Sequence, residues 1–396
     1  MAKIVFVNIP AHGHTNPTLA VARALVERGH QVSYYSGNEM RGLIASTGAA
    51  FRAHPEPMPG TQELTSALTE LIDTTLLLIK ISEAHTAWFI AEMRREAPDV
   101  IIYDSTAVWG YVAARSLSIK HICSITTFVL EGSQNGIPKL ALLRHVLKAI
   151  PHIPRISRWK RFMRTQFGSA NVGGITEFAK INLVYTSKEF HPQNAFLDER
   201  FRFVGPSLYS GNRSADFPFG DLGTGPMVYV SLGTVVNRNM PFYHAAFEAY
   251  ENFAALFVLS VGAQTNIASL GAIPANFIVR NVVPQLEILA RADAFITHGG
   301  MNSVHEGLMC GVPEIVVPHH IEQLLNGIRV AQVGAGVLLS TQKSNRRVTA
   351  AQLHKALTRV LSQPSFRRQA AYYGQTLKAA GGHMQAVKEI EAYLGQ

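Results

Sequence analysis

The chain has 396 residues, more than one ordinary hydrophobic core supports, so two domains of about 200 residues each are expected. Hydrophobic residues make up 47 %, and Gly and Pro are near average usage, which excludes wholesale disorder. The net charge of +9 leaves acidic partners open. Cys123 and Cys310 form neither a disulfide framework nor a metal-ligand pattern, as expected for a cytoplasmic protein.

The first apolar run, "KIVFVNI", predicts a β-strand. It does not resemble a signal peptide, because Pro10, His12 and His14 follow where a longer apolar region would be needed. The most apolar stretch, residues 68–90, carries four charged side chains and predicts a largely buried helix. No stretch has the uncharged length of a membrane span.

Short apolar runs alternate with amphipathic stretches through the first half of the chain, and the same alternation restarts at Met227. This βαβα order predicts parallel sheets with helices on both faces. Residues 206–226 are rich in Pro, Gly, Ser and Asp and predict a linker. We therefore predict two α/β domains, 1–205 and 227–396, facing each other across a cleft. In such sheets ligands bind beyond the carboxyl ends of the strands.

Residues 139–164 are rich in Lys and Arg and contain no Asp or Glu. Trp159, Phe162 and Met163 are interleaved with these basic residues. A solvated surface helix is the simpler interpretation, since runs of charge commonly face solvent. The alternative is weak contact with an anionic membrane surface or an acidic acceptor. No binding motif for nucleic acid accompanies the charge, so none is expected to bind.

Two polar residues follow predicted strands of the first half, His14 after strand one and Asp104 after "DVIIY". A neutral histidine can accept a hydroxyl proton, and a carboxylate behind it would fix the tautomer. Taken alone, Asp104 is better explained as the N-cap of a helix beginning in "STAVWGYVAA". The absence of "GxSxG" disfavours serine hydrolysis. The pairs His12 with His14 and His319 with His320 lack the spacing of a zinc site, so no metal is expected.

The stretch "THGGMNSVHEG" (297–307) follows the apolar run "ADAFI". Gly299 and Gly300 permit a tight turn, and a helix is predicted from near Asn302 to before Gly311. Its first-turn N–H groups form an anion site, to which His298, Asn302 and Ser303 add donors, with Glu306 one turn further. Plain capping by Asn302 or Ser303 explains the same residues. A second small loop, "SLGT", favours the phosphate interpretation through Ser231, Gly233 and Thr234.

A dinucleotide oxidoreductase is the obvious rival for two α/β domains. It is disfavoured because "AHGHTNP" stands after strand one where "GxGxxG" would be required.

"PAHGHTNPTLAVARALVERGH" near the start and residues 282–336, with "HGGMNSVHEGLMCGVPEIVVPHHIEQ", resemble the family-one nucleotide-sugar glycosyltransferases. The bacterial macrolide glycosyltransferase subgroup is the most similar. The resemblance covers nearly the whole chain and is weakest in 55–95 and 130–220.

The resemblance implies a GT-B fold of two Rossmann-like domains, with a return of the C-terminal helix to the first domain left open. It implies inverting transfer of a sugar, with glucose expected, from a UDP-sugar to a hydroxyl of a bulky apolar molecule such as a macrolide or polyphenol. No cofactor is required. His14 would be the base and Asp104 its orienting carboxylate. The implied donor contacts are Ser231, Gly233, Thr234, Val283, Gln285, His298, Gly299, Gly300, Asn302, Ser303, Glu306, Glu322 and Gln323.

Two residues depart from the family pattern. Val282 stands where an aromatic residue usually stacks on the uracil, and Glu322 replaces the usual Asp at the sugar. The sequence therefore leaves two preferences of the protein open: UDP or TDP as the nucleotide, and the identity of the hexose. The alternatives are a lipid acceptor at a membrane surface, an enzyme that epimerises or hydrolyses a nucleotide sugar, and a catalytically silent nucleotide-sugar binder.

Overall fold

The protein forms two compact units in a computed structural model. One comprises Met1–Gly211 with Ala379–Gln396, and the other comprises Asn212–Lys378. The structure describes residues 1–60, 63–64, 71–129, 147–167, 178–209, 217–233, 239–339 and 347–395.

The N-terminal unit contains a parallel sheet with the strand order β3-β2-β1-β4-β5-β6-β7. Its strands are β1 (Lys3–Val7), β2 (Gln31–Ser36), β3 (Ala50–Ala53), β4 (Val100–Asp104), β5 (Lys120–Ile125), β6 (Ile181–Val184) and β7 (Phe201–Phe203). Its helices are α1 (His12–Glu27), α2 (Arg41–Ala45), α3 (Leu71–Glu96), α4 (Val108–Ser116) and α5 (Ile153–Phe167), with α12 (Gly382–Leu394) added from the end of the chain.

The central strands of this sheet are apolar on both faces. Val5, Phe6 and Val7 of β1 are fully buried, as are Ile101 and Ile102 of β4. Continuous apolar runs are typical of parallel strands that helices cover on both sides. The carboxyl ends of β1 and β4 therefore lie side by side, since β1 pairs with β4 in parallel.

The C-terminal unit repeats this architecture with the strand order β10-β9-β8-β11-β12-β13. Its strands are β8 (Met227–Ser231), β9 (Leu256–Ser260), β10 (Phe277–Arg280), β11 (Ala294–Thr297), β12 (Glu314–Val316) and β13 (Gly336–Leu338). Its helices are α6 (Met240–Tyr250), α7 (Gln285–Leu289), α8 (Met301–Met309), α9 (Ile321–Gln332), α10 (Ala350–Ser362) and α11 (Pro364–Ala379).

Helix α12 completes the core of the N-terminal unit by packing on α1. Ala386, Val387 and Ile390 are buried in one cluster with Leu19 and Leu25 of α1. At its start, the backbone N–H of Gly382 donates to the carbonyl of Val204 at 2.6 Å. The last helix is therefore part of a core whose other members lie far earlier in the sequence.

The ends of the 206–226 segment pack against the units. The Tyr209 hydroxyl donates to the carbonyl of Ser46 at 2.9 Å. Phe217 and Leu222 are buried with Tyr229 in the C-terminal unit. The aromatic and branched residues of the segment are thus structural, although its composition resembles that of a free linker.

Part of the basic stretch 139–164 lies in α5. Trp159 and Met163 are buried in the main apolar cluster of the N-terminal unit, whereas Phe162 is exposed. Two of the three interleaved apolar residues therefore face the core. Residues 139–146 lie outside the described residues, and contact with a membrane surface stays a prediction.

Within the described ranges, no helix combines the length and apolar character needed to cross a membrane. The apolar stretch 68–90 lies largely in α3, where Ile79, Ile81 and Phe89 are buried. The predicted buried helix is confirmed for the part of it that the structure describes.

Candidate active site

His14 and Asp104 meet at the carboxyl edge of the N-terminal sheet. His14 lies in the first turn of α1, and Asp104 is the last residue of β4. The His14 Nδ1 and Asp104 Oδ2 atoms are 2.9 Å apart, with the residues 7 % and 0 % exposed. Because a carboxylate only accepts hydrogen bonds, Nδ1 carries the proton and Nε2 carries the lone pair. The arrangement is that of a general base with an orienting carboxylate.

The second oxygen of Asp104 is fixed by the turn after β4. Asp104 Oδ1 accepts the backbone N–H of Thr106 at 2.8 Å, and the Thr106 hydroxyl also donates to it. Helix α4 begins later, with Ala107 as its N-terminal flanking residue and no side-chain cap. Asp104 therefore holds a local turn with one oxygen and His14 with the other.

Asn8 is a supporting residue that sequence reasoning missed. It follows β1, is fully buried, and its side-chain amide donates to the carbonyl of His14 at 2.9 Å. This bond fixes the start of α1 relative to the sheet. The sequence signal for this role is an amide residue directly after the first predicted strand. Such a residue is expected to be buried, and buried polar groups are normally hydrogen-bonded.

Several of the predicted donor residues of the C-terminal unit lie at the turn between β11 and α8. Gly299 has a φ of +87°, which favours glycine, and a Cβ there would lie 2.5 Å from Val316 Cγ1. The side chain of Asn326, on α9, donates to the Gly299 carbonyl at 2.8 Å. Asn326 is a second positioning residue that sequence reasoning missed, and it ties α9 to the turn.

Helix α8 spans Met301–Met309, which confirms the helix predicted from near Asn302. Gly300 precedes it, and no side chain caps its first N–H groups. Asn302 and Ser303 lie within the first turn, so neither is the cap that the alternative interpretation required. Uncapped N–H groups at a helix start favour an anion.

The His298 ring packs between two glycines. A Cβ on Gly233 would lie 2.6 Å from His298 Cε1, and one on Gly300 would lie 2.6 Å from Nε2. Burial lowers the pKa of His298 to about 3, so the ring is neutral at physiological pH. The loops after β8 and β11 therefore both contact the His298 imidazole through a glycine.

Replacing Gly300 by Ala is expected to weaken donor binding by about 10–100-fold, because the new methyl group must displace the His298 ring. The backbone at Gly300 has a φ of −61°, which alanine tolerates. Isothermal titration with UDP-glucose measures the change. Gly225→Ala is the matched control, since its Cβ meets nothing within 4 Å. Unchanged affinity in Gly300→Ala would contradict a donor site at this turn.

Gln285 forms a partly buried polar chain with Glu306 and Tyr229. The Gln285 amide donates to Glu306 Oε2 at 2.6 Å, and the Tyr229 hydroxyl donates to Gln285 Oε1 at 3.0 Å. The structure thus brings together the two residues expected at the base and the ribose. Ser231 is the last residue of β8, and the Gly233 N–H just beyond it donates to Ser231 Oγ at 3.3 Å. Thr234 lies outside the described residues.

Glu322 and Gln323 begin helix α9. The Gln323 Oε1 atom accepts the backbone N–H of His319 at 2.8 Å and that of His320 at 3.3 Å. Its oxygen therefore caps its own helix, and only its amide hydrogens are available to a sugar hydroxyl. Glu322 lies in the first turn and is partly exposed.

Val282 and Val283 differ sharply in exposure. Val283 is buried in the apolar cluster beside α7, whereas the Val282 side chain is 56 % exposed. An exposed aliphatic side chain covers a flat base far less completely than an aromatic ring does.

No group of three or more His, Cys, Asp or Glu side chains arranged to hold a metal ion occurs among the described residues.

A family model for the C-terminal domain of erythromycin biosynthesis protein CIII-like proteins matches residues 247–392. The uncharacterized UDP-glucosyltransferase YojK of Bacillus subtilis is 30 % identical, over 98 % of this chain and 97 % of the relative. The oleandomycin glycosyltransferase of Streptomyces antibioticus is 28 % identical, over 99 % and 91 %. Among solved structures, the glycosyltransferase of kitacinnamycin is 27 % identical, covers 99 % of both chains and gives a TM-score of 0.83.

Proposed function

The chain belongs to the bacterial nucleotide-sugar glycosyltransferases, and we propose that it moves a sugar from a UDP-sugar to a hydroxyl of a bulky apolar small molecule with inversion. The hydrogen bond between buried His14 and Asp104 carries this proposal. A protein that only binds nucleotide sugars does not need a base with an orienting carboxylate.

In the proposed reaction, His14 Nε2 takes the proton of the acceptor hydroxyl. The hydroxyl oxygen attacks the anomeric carbon, and the bond from that carbon to the phosphate oxygen breaks with its electron pair. The products are the glycoside and the nucleoside diphosphate. Asp104 stabilises the imidazolium that forms, and the carboxylate itself stays ionised.

The leaving diphosphate would be bound in the C-terminal unit without a required metal. The first N–H groups of α8, which no side chain caps, would supply donors together with the His298 ring and the Ser303 hydroxyl. Gln285 and the Val283 backbone would hold the base, Glu306 the ribose, and Glu322 with the Gln323 amide the sugar hydroxyls. Glucose is the sugar we propose.

The proposed acceptor class is a macrolide or polyphenol. It rests on the acceptor named for the oleandomycin glycosyltransferase, which matches nearly the whole chain.

The test measures nucleoside diphosphate release with EDTA present, for UDP- and TDP-sugars against mixed macrolide and phenolic acceptors. Release that depends on the acceptor and persists without metal supports the proposal. Donor binding with no turnover for any acceptor would favour a silent binder. Turnover that returns only on adding Mg²⁺ would refute the metal-independent mechanism.

Replacing Val282 by Trp is expected to tighten UDP-glucose binding about 5–100-fold, because stacking of one base on an aromatic ring contributes roughly 1–3 kcal/mol. The side chain is 56 % exposed, so the larger ring is accommodated without repacking. Titration of Val282→Trp and Val282→Leu separates stacking from simple apolar area. Equal affinities for the two variants would show that the base does not lie over this position.

A further inference from the structure

Three histidines cluster beside the proposed diphosphate site, and the proposed reaction uses only one of them. His298 follows β11, while His319 and His320 directly precede α9. The rings are near enough that each of His319 and His320 lowers the pKa of His298 electrostatically. The sequence "VVPHHIEQ" therefore brings two further imidazoles to the turn before α8.

Two ring nitrogens of this cluster have no hydrogen-bond partner in the described part of the protein. They are Nδ1 of His298 and Nε2 of His319, both buried. His320 is only 7 % exposed. Buried polar atoms without partners are rare, and such atoms beside an uncapped helix start indicate a ligand that supplies the missing bonds.

The three histidine rings are uncharged near neutral pH. Burial lowers the pKa of His298 to about 3, and burial with repulsion from His320 lowers that of His319 to about 4. Burial also lowers the pKa of His320. No anion among the described residues offsets these effects strongly enough to charge the rings.

The charged side chains on the packed elements are few. Helix α9 carries Glu322 in its first turn and Arg329 in its last turn. Helix α8 has no acid in its first turn, and its Glu306 accepts a hydrogen bond from Gln285. Strand β12 contributes Glu314, whose pKa burial raises well above its usual value. The loop after β8 carries no charge in its described residues, 231–233.

We infer that the pair His319 and His320, beside His298, accepts a proton when the donor's diphosphate binds, so that nucleotide-sugar binding is coupled to proton uptake by the protein. This inference rests on the proposed donor site. A charge pair 4 Å apart gains about 4 kcal/mol at an effective dielectric constant of 20, and one pKa unit corresponds to about 1.4 kcal/mol. A doubly negative diphosphate can therefore raise an imidazole pKa by several units. The proton also makes the ring a stronger donor to phosphate oxygens.

The direction of the pH effect follows from this shift. Because the bound state has the higher histidine pKa, donor binding strengthens as the pH falls between the bound and free values. Uptake of one proton corresponds to about tenfold in affinity per pH unit. Protonation of His14, the proposed base in the N-terminal unit, also changes turnover with pH. The pH dependence of the histidine cluster must therefore be measured on donor binding.

The experiment titrates UDP-glucose, and TDP-glucose in parallel, into the full-length protein without acceptor. Isothermal titration is run at about pH 6 and 8 in buffers of different ionisation enthalpy, which gives the protons exchanged. The diphosphate of a nucleotide sugar is esterified at both ends, so it lacks the terminal phosphate proton that titrates near pH 6. Any uptake therefore belongs to the protein. His319→Gln, His320→Gln and the double variant are compared with His244→Gln, an exposed histidine of the same unit.

We expect wild type and His244→Gln to take up close to one proton at about pH 6 and to bind more weakly at about pH 8. The double variant is expected to lose most of the uptake and most of the pH dependence. Donor binding without proton exchange in wild type, or full uptake in a folded double variant, would overturn the inference while leaving the donor site intact. Absence of any binding by wild type would overturn the proposed function as well. If the variants fail to fold, the wild-type exchange alone decides.

Discussion

Asp104→Asn is expected to lower kcat by about 10²–10⁴-fold while the affinity for UDP-glucose changes less than about twofold. The turn after β4 explains why such a small change is severe. Thr106 donates to Asp104 Oδ1 through its backbone N–H and its hydroxyl, so an asparagine must keep its oxygen there. Its NH₂ group then faces His14 Nδ1, which must become the acceptor. The proton moves to Nε2, and the ring can no longer take one from the substrate.

His14→Ala is the companion variant and is expected to lose a similar factor in kcat, because it removes the base itself. Steady-state kinetics with a saturating donor, together with calorimetric donor affinities, separate turnover from binding. Double-variant activity close to that of either single variant is expected if the two residues act as one unit. Asp104→Asn turnover within about threefold of wild type would refute the dyad.

Glu314→Leu is expected to stabilise the C-terminal unit by about 1–3 kcal/mol at pH 8, an unusual direction for a core substitution. Glu314 begins β12, is fully buried, and neither carboxylate oxygen has a hydrogen-bond partner in the described residues. A Cβ on Gly307 would lie 2.4 Å from Glu314 Oε1, so the carboxyl group lies directly against α8. Burial raises the pKa of Glu314 well above its usual value.

The pH dependence identifies the cause of this stabilisation. A carboxyl group with a raised pKa in the folded state binds more protons there than in the unfolded state. Its contribution to stability therefore falls as the pH rises above the unfolded value of about 4.3. The gain in Glu314→Leu should grow with pH over that range. Glu314→Gln should remove the pH-dependent difference while keeping the cost of a buried polar group.

Denaturant unfolding at about pH 5 and 8 measures both variants. Trp88, Trp109 and Trp159 are all in the N-terminal unit, so tryptophan fluorescence follows that unit alone. Circular dichroism follows both units. We expect the unfolding transition of the C-terminal unit to shift. Circular dichroism should detect this shift, and tryptophan fluorescence should not. Destabilisation by Leu at both pH values would show that the carboxyl group is satisfied in the folded protein.

The family and the fold were predictable because their signals are local and repeated. Alternating runs fixed two parallel-sheet α/β units, and the match to solved glycosyltransferases confirms the GT-B prediction. Strand ends could also be located, since the apolar runs "VIIY" and "AFI" are each followed by polar residues. The meeting of His14 and Asp104 then followed from parallel pairing of β1 with β4.

The remaining features depend on contacts between distant residues. The family resemblance implies a sugar contact for Gln323, but its side-chain oxygen caps α9. Which group an amide bonds is decided by local geometry. Asn8 and Asn326 are ordinary polar residues until their backbone partners are known. Glu314 in "PEIVVP" gives no sign that its carboxyl group lacks partners. His319 and His320 gain interest only when the fold brings them to His298.

Helix α12 has a consequence for synthesis on the ribosome. The N-terminal unit is discontinuous, because Ala386, Val387 and Ile390 fill a core whose other members belong to its first two hundred or so residues. These residues emerge only after the whole of the C-terminal unit has been translated. The apolar surface of α1 that they cover therefore stays open while the second unit folds. Of the two units, the one begun first is completed last, and chaperone contacts on the nascent chain should be sought on α1.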